Sequence, residues 1–368
     1  MSYGQVNADV IGTSVANSSL GAGNATLMKN KIINGACVID QRNAGASVTP
    51  TTTGTNVYTL DRWAVQLSQA SKFSVQQNAG SVTPPVGFTK YLGITSLSAY
   101  SVTSSDYFLL TQPIEGFNIA DLGWGTANAK TVTLSFQVYS SLTGTFGATL
   151  MNDARNRSYP FTYTISSANT WTTISVTIAG DTTGTWRTDN GVGINIWFGL
   201  GVGSNFNGTA GSWSGNAYYG ATGATSVVGT NGATFYITGV QLEVGSSATG
   251  YEYRQYGQEL ALCQRYYYQS WGISGNTPSS SGNAWAGLSI NTTEAYGTTT
   301  FPVSMRSAPT VTNYDQAGAS GKVSSPGVAN GLSGTPTNIS VNGFNYFTGS
   351  GYTATKCIIS NYLASAEL

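Results

Sequence analysis

The sequence predicts an all-β protein: an antiparallel β-sandwich, then a short helix, then a second and smaller β-sandwich. Two observations predict it. From Tyr58 onward, short runs of β-branched and aromatic residues recur, bounded by Gly, Asn, Ser and Pro, as strands are. Only one stretch carries a helical period, so strands follow strands without the interleaved helices of a parallel sheet.

Residues 1–30 are small and polar with no sustained apolar period, and read as an arm that is either a passive tail or a peg ordered by a partner. Strands are expected at 58–67, 73–77, 91–96 and 107–112. In 131–139 (TVTLSFQVY), Val132, Leu134, Phe136 and Val138 share one face, the mark of a half-buried strand. Segments 171–178, 194–200 and 234–244 read alike. The helix is expected at 257–267, where Leu260, Cys263 and Tyr267 recur at spacings of three and four. It either caps the sandwich core or packs with two copies of itself about a threefold axis. Past the Ser/Gly-rich stretch 270–283, strands are expected at 285–291, 298–303, 310–314, 339–347 and 356–363, enough for a small sandwich. The organisation is therefore an arm (1–50), a central sandwich (51–253), a linking helix (254–269) and a C-terminal sandwich (270–368).

Composition excludes several function classes. Of 368 residues, 40% are hydrophobic and 12% aromatic, ample for a core, while 8% are charged, about a third of the usual share. The surface must be made of Ser, Thr, Asn, Gln and Gly. Fifteen basic residues balance fifteen acidic ones without a basic run, which argues against nucleic acid and anionic membranes. No apolar stretch suits a membrane span, and Met1 to Val10 does not read as an export signal, so no membrane insertion is expected. With no His, Ser/His/Asp and Cys/His nucleophiles cannot be built within the chain. Cys37, Cys263 and Cys357 show no metal-type spacing and read as reduced, mostly buried thiols.

Six ordered blocks stand out: 31–36 (KIINGA), 39–45 (IDQRNAG), 58–63 (YTLDRW), 235–245 (FYITGVQLEVG), 259–267 (ELALCQRYY), and 301–306 (FPVSMR) with 308–310 (APT). Together they resemble tailed-bacteriophage virion proteins of the tail-fibre and minor structural kind, from about residue 25 to the C-terminus. The resemblance implies a virion component, a homotrimer joined to other virion proteins through its N-terminal arm, with a central domain like a carbohydrate-binding jelly roll. Its expected task is attachment to a bacterial surface glycan. The alternative is a purely structural role, as a head-decorating fibre or tail adaptor without a glycan site.

The candidate binding region is 201–232, too long for an ordinary hairpin connection. Phe206, Trp213, Tyr218 and Tyr219 stand there among Asn and Ser, and sugar recognition needs flat aromatic faces with amide or hydroxyl partners. The plainer reading is that these rings cover the sandwich or a seam between subunits. Trp124 and Trp186, in other Gly/Thr-rich turns, read better as caps of the core edge, although Trp186 joins the candidates. Leu260, Cys263 and Tyr267 are the candidate trimer contacts.

Sugar-binding jelly rolls often hold a structural calcium, with an acidic pair shortly before the final Leu-Glu. Thr238-Gly239 stands in that place here, so no cofactor is expected, and Asp61 and Glu243 remain as oxygen donors whose plainer reading is contact with Arg62 or Arg254. Asp181 and Asp189, flanking Trp186 with Arg187 nearby, are the carboxylates a glycan-cleaving enzyme would need, yet the repeats of a long β-helix are absent and no enzyme is expected.

Overall fold

The computed structural model describes residues 28–272 and 284–368; the expected arm over 1–27 and most of the Ser/Gly stretch lie outside them. The central unit runs through β1 (Val57–Leu60), β2 (Trp63–Leu67), β3 (Phe73–Gln77), β4 (Leu92–Ser96), β5 (Tyr107–Glu115), β6 (Val132–Ser140) and β7 (Gly144–Met151). It continues through β8 (Ser158–Ile165), β9 (Thr172–Ile178), β10 (Val192–Val202), the two-residue β11 (Asn207–Gly208) and β12 (Gly220–Ala221), and β13 (Thr234–Val244). Then come α1 (Tyr256–Gln264), β14 (Tyr267–Gln269), β15 (Trp285–Ser289), β16 (Glu294–Thr300), β17 (Thr310–Tyr314), β18 (Lys322–Ser325), β19 (Ala329–Thr337), β20 (Gly343–Ser350) and β21 (Cys357–Ser365).

Two antiparallel sheets, ordered β1-β2-β5-β10-β7-β8 and β3-β4-β13-β6-β9, form a jelly-roll-like sandwich. Alternation explains the layers: Val132, Leu134, Phe136 and Val138 of β6 face inward, and Phe136 meets Phe198 of β10 and Tyr163 of β8 edge-on at 5.2 and 5.1 Å. β10 is buried on both faces, which is why INIWFGL is apolar on both parities apart from Asn195. β7 and β8 escape the sequence reading because Gly144, Gly147 and Pro160 break their pattern. Pro160 is tolerated because β8 is an edge strand.

The expected strand 58–67 is a hairpin, β1 and β2 turning at Asp61–Arg62, with Arg62 at φ +67°. The C-terminal unit is one sheet folded over itself into a small sandwich: β14-β21-β15-β16-β20-β19-β18, closed by Ser324 opposite Ile359 of β21. Trp285, Phe344, Phe347 and Tyr362 fill it. The helix stops at Arg265, before the expected Tyr267, because the aromatic run 266–268 favours extended chain and β14 joins β21.

Residues 31–42, assigned to the arm from sequence, belong to the sandwich: Ile32 and Cys37 enter its core, and Ile33 and Ile39 pack with Cys263 and Tyr266 at the helix. The helix therefore caps the core. Cys263 is fully buried and Tyr267 nearly so within the protomer, which corrects their assignment as trimer contacts: Tyr267 already lies under Arg42, whose guanidinium is 3.7 Å from its ring centre. Leu260 stays partly exposed. Burial pushes the Cys37 thiol up to about 12 and raises that of Cys263, so both stay protonated. Cys357, against expectation, is exposed, since it opens β21 on the outer face.

The two sandwiches meet at an arginine-rich joint. Glu367 pairs with Arg42 and Arg62; Arg62 also donates to the Pro113 carbonyl and lies 3.7 Å over the Tyr266 ring. Arg265 holds Glu115 through two bonds of 2.9 and 2.6 Å, and Arg306 donates to the carbonyls of Asn190, Ala366 and Glu367. Members of five of the six sequence blocks line this joint, so what those blocks encode is largely the docking of the two β units.

Candidate functional site

The 201–232 loop lies down on the six-stranded sheet. Ser214 exchanges backbone hydrogen bonds with Ser158 on edge strand β8, Thr225 donates to Thr145, and β11 pairs in parallel with β12. Close approach needs small residues: a Cβ at Gly147 would stand 2.9 Å from the Ala221 nitrogen.

Two of the five candidate glycan residues, Phe206 and Tyr219, share one surface, while the Tyr218 ring packs over Gly208. Trp197, on the outward face of β10, meets the edge of Tyr219 at 4.6 Å; Phe206 then stacks on Tyr219 at 4.6 Å with the planes 2° apart, and Tyr107 abuts both edge-on. Trp197 and Tyr219 are buried, whereas Phe206 and Tyr218 stay partly exposed, so Phe206 is the outer ring of the stack. Asn205 stands exposed next to it. Asn216 donates to the Tyr218 hydroxyl, Asn205 donates to Ser105, and the Asn207 amide oxygen is buried without a hydrogen-bond partner. Trp197, Tyr107 and Arg155, whose guanidinium lies 5.3 Å over Trp197, complete the surface and were not singled out from sequence.

Trp213 and Trp186 lie elsewhere, in a group of three with Trp124 whose ring centres are 4.7 to 5.5 Å apart. Their indole N–H groups are spent internally: Trp213 on the Ala179 carbonyl, Trp124 on that of Lys130, and Trp186 on Asp181 and the Thr183 carbonyl. Trp124 and Trp186 are buried at the core edge, and Trp213 is half-buried over them. The plainer reading of these rings is the one the packing follows.

Both candidate carboxylates for cleavage are held in ion pairs. Burial pushes Asp181 up, but hydrogen bonds from Arg157 and Thr183 outweigh it and leave the carboxyl below its usual value. Two hydrogen bonds from Arg187 and one from the Gly191 N–H hold Asp189 down at about 2. Two-carboxylate hydrolysis needs one protonated partner, and these two are both ionised at neutral pH.

Asp61 and Glu243 share no partner. Asp61 accepts the backbone and side-chain N–H groups of Gln41, while Glu243 accepts from Gln241 and Thr249 and lies 3.7 Å from Lys29. The expected contacts with Arg62 and Arg254 are thus not the ones made. Among the described residues no group of three His, Cys, Asp or Glu could hold a metal. Gly239, in the acidic-pair position, has φ +61° at a register shift of β13, and its missing side chain makes room for Phe88: a Cβ there would be 2.5 Å from the ring.

A second aromatic surface, on the outer face of the five-stranded sheet, went unread. Tyr139 stacks on Tyr236 at 5.3 Å and Tyr236 on Tyr91 at 5.1 Å, with Trp171 edge-on beside them. The signal was available: Tyr139 has the parity opposite to the inward set of β6, where a polar residue is expected.

No family model matches the chain, and no curated protein does. Among solved structures it is similar to the enzymatically active domain of bacteriophage CBA120 tailspike protein 4, at 12% identity and a TM-score of 0.32, over 59% of this chain and 22% of that one. The chain thus matches about a fifth of the tailspike domain's length. It is also similar to a CBM4 structure (16%, 0.27, over 58% and 98%) and to the family 11 carbohydrate-binding module of Clostridium thermocellum in complex with a β-1,3-1,4-mixed-linked tetrasaccharide (13%, 0.27, over 54% and 100%). Similarity at these scores carries no argument about the site or its ligand.

Proposed function

We propose that the chain is a fibre-type bacteriophage virion protein, assembled as a homotrimer, that attaches to a neutral glycan on the bacterial surface. The observation that carries the glycan part is the Phe206–Tyr219 stack, whose outer ring stays partly exposed next to the exposed Asn205. Such a face suits the C–H side of a pyranose, and an exposed amide suits its hydroxyls. A single contact of this size is weak, and three copies on one particle make up for that through avidity. The virion assignment and the trimer rest on the ordered sequence blocks. Binding proceeds without cleavage, so no reducing ends should form when the purified protein meets capsule or lipopolysaccharide.

One observation favours the structural alternative: the blocks that carry the resemblance gather at the joint between the sandwiches, and none falls in the 201–232 loop. The test is binding of the labelled, purified protein to intact bacteria, with its mass in solution measured on the same sample. Attachment by a trimer, lost in Phe206→Ala at unchanged mass, is the expected result. A trimer that attaches to no cell would leave decoration or adaptor work as the function.

A further inference from the structure

A cavity of about 180 Å³ opens where the 36–38 segment, the 87–89 loop and the chain entering α1 meet. Val38, Phe88, Tyr251 and Tyr253 line it, and the three rings lie 4.9 to 5.6 Å apart from centre to centre. Its charged groups are already engaged. One Glu259 oxygen accepts from the Asn34 N–H and the other from Arg254, whose terminal nitrogens also donate to the Ile32 and Asn30 carbonyls. What is left for an occupant is apolar contact.

Beside the cavity stands an apolar knob. Val86 is fully exposed at the tip of the turn 85–88, which is closed by the Phe88 N–H on the Pro85 carbonyl at 3.0 Å, with Gly87 at φ +90° as its third residue. The tip is held in place before anything meets it: Pro84 and Pro85 fix their own φ, Trp171 donates to the Thr83 carbonyl, and the Thr238 hydroxyl donates to that of Lys90. Tyr253, 59% exposed, packs on Phe88 and joins knob to hole. Val86, Phe88 and Tyr253 carry no charge, so a copy presenting the same residues brings none against them.

We propose that Val86 of one copy seats in this cavity of the next, and that three such contacts in a ring hold the homotrimer. The inference rests on the trimer reading above and gives it a contact surface, which Cys263 and Tyr267, buried within the protomer, do not supply. A knob on one copy and a hole on the next make a head-to-tail contact, the kind that closes into rings. The size fits, since a cavity of roughly 150 Å³ admits benzene, which is larger than the side chain of valine. An apolar residue of another protein would fill the hole equally well, but a second copy also brings a hole for the knob.

The test combines mass in solution with directed crosslinking on the full chain. Val86→Asp puts a charge into the apolar hole and should raise the dissociation constant of the trimer at least about a hundredfold, leaving single chains with the far-ultraviolet circular dichroism of the wild type. A chain carrying Val86→Cys, mixed with a size-tagged chain carrying Val38→Cys, both with Cys357→Ser, should form a disulfide between the two lengths under mild oxidation. The contact is overturned, and the trimer left standing, if Val86→Asp stays trimeric or if the mixed chains form no such disulfide while the wild type is trimeric. A monomeric wild type overturns both. A dimer joined through positions 86 and 38 would keep the contact and overturn the trimer.

Discussion

The joint between the two sandwiches and the 201–232 loop surface are built from opposite materials. The joint concentrates Arg42, Arg62, Arg265 and Arg306 against Glu115, Glu367 and backbone carbonyls, in a chain with only 8% charged residues. Neutral rings and amides make up the loop surface, with Arg155 as its nearby charge. Buried charges tolerate few arrangements, because each must find a partner or lose several kcal/mol, so the joint can hold two domains in one relation. Stacked rings are far less demanding of direction, and a loop built from them can vary its polar rim without unfolding the sheet beneath.

The largest effect that would break this contrast is expected at Glu367. Glu367→Ala leaves Arg62 buried without its carboxylate and should cost about 3–5 kcal/mol in urea unfolding; a loss below 1 kcal/mol would mean that the joint is not held by its charges.

Next comes a pH effect at Asp61. Burial raises this carboxyl to about 6, outweighing the pull of Arg42 and the hydrogen bonds from Gln41. Since the folded value exceeds the unfolded one, the group's contribution is complete below about pH 4 and is lost as pH rises through 6, a fall of about 3 kcal/mol. Stability measured from pH 4 to 7 should decline in wild type and flatten in Asp61→Asn. Asp106 and Asp189, held near 2, act the other way and only in stronger acid.

Loop variants should act on binding first. Phe206→Ala is expected to lower attachment of a trimer to cells about a hundredfold, since a per-site loss of about fivefold multiplies over three sites. Its cost in stability should stay near 1 kcal/mol, and unfolding curves on the same preparation would check it. Trp213→Ala should show the reverse, losing about 2 kcal/mol of stability through the contacts with Trp124, Trp186 and Tyr159. The smallest effect concerns salt. Attachment through neutral groups should hardly change between low and physiological ionic strength, and a steep dependence would point to a charged receptor instead.

Two strands with clean alternation, Phe73–Gln77 and Thr310–Tyr314, were legible at their true bounds, as was Thr234–Val244 through its β-branched and aromatic residues despite the bulge at Gly239. β7 and β8, whose patterns Gly144, Gly147 and Pro160 break, were not legible, because a strand made regular by its neighbours needs no regular sequence. The candidate site was half legible. Phe206 and Tyr219 do lie together, but nothing local distinguished them from Trp213, seven and six residues away along the same loop yet packed into another group of rings.

By itself the sequence determined an all-β chain with a neutral, hydroxyl- and amide-rich surface and without imidazole chemistry, because side-chain type and period-two patterning are local properties. Only the tertiary structure decided which rings share a surface, and that residues 31–42 close the core instead of extending the arm. It alone brought Arg62 to Glu367, 305 positions away along the chain. Contacts across such separations depend on the register of whole sheets, and no window of sequence contains that register.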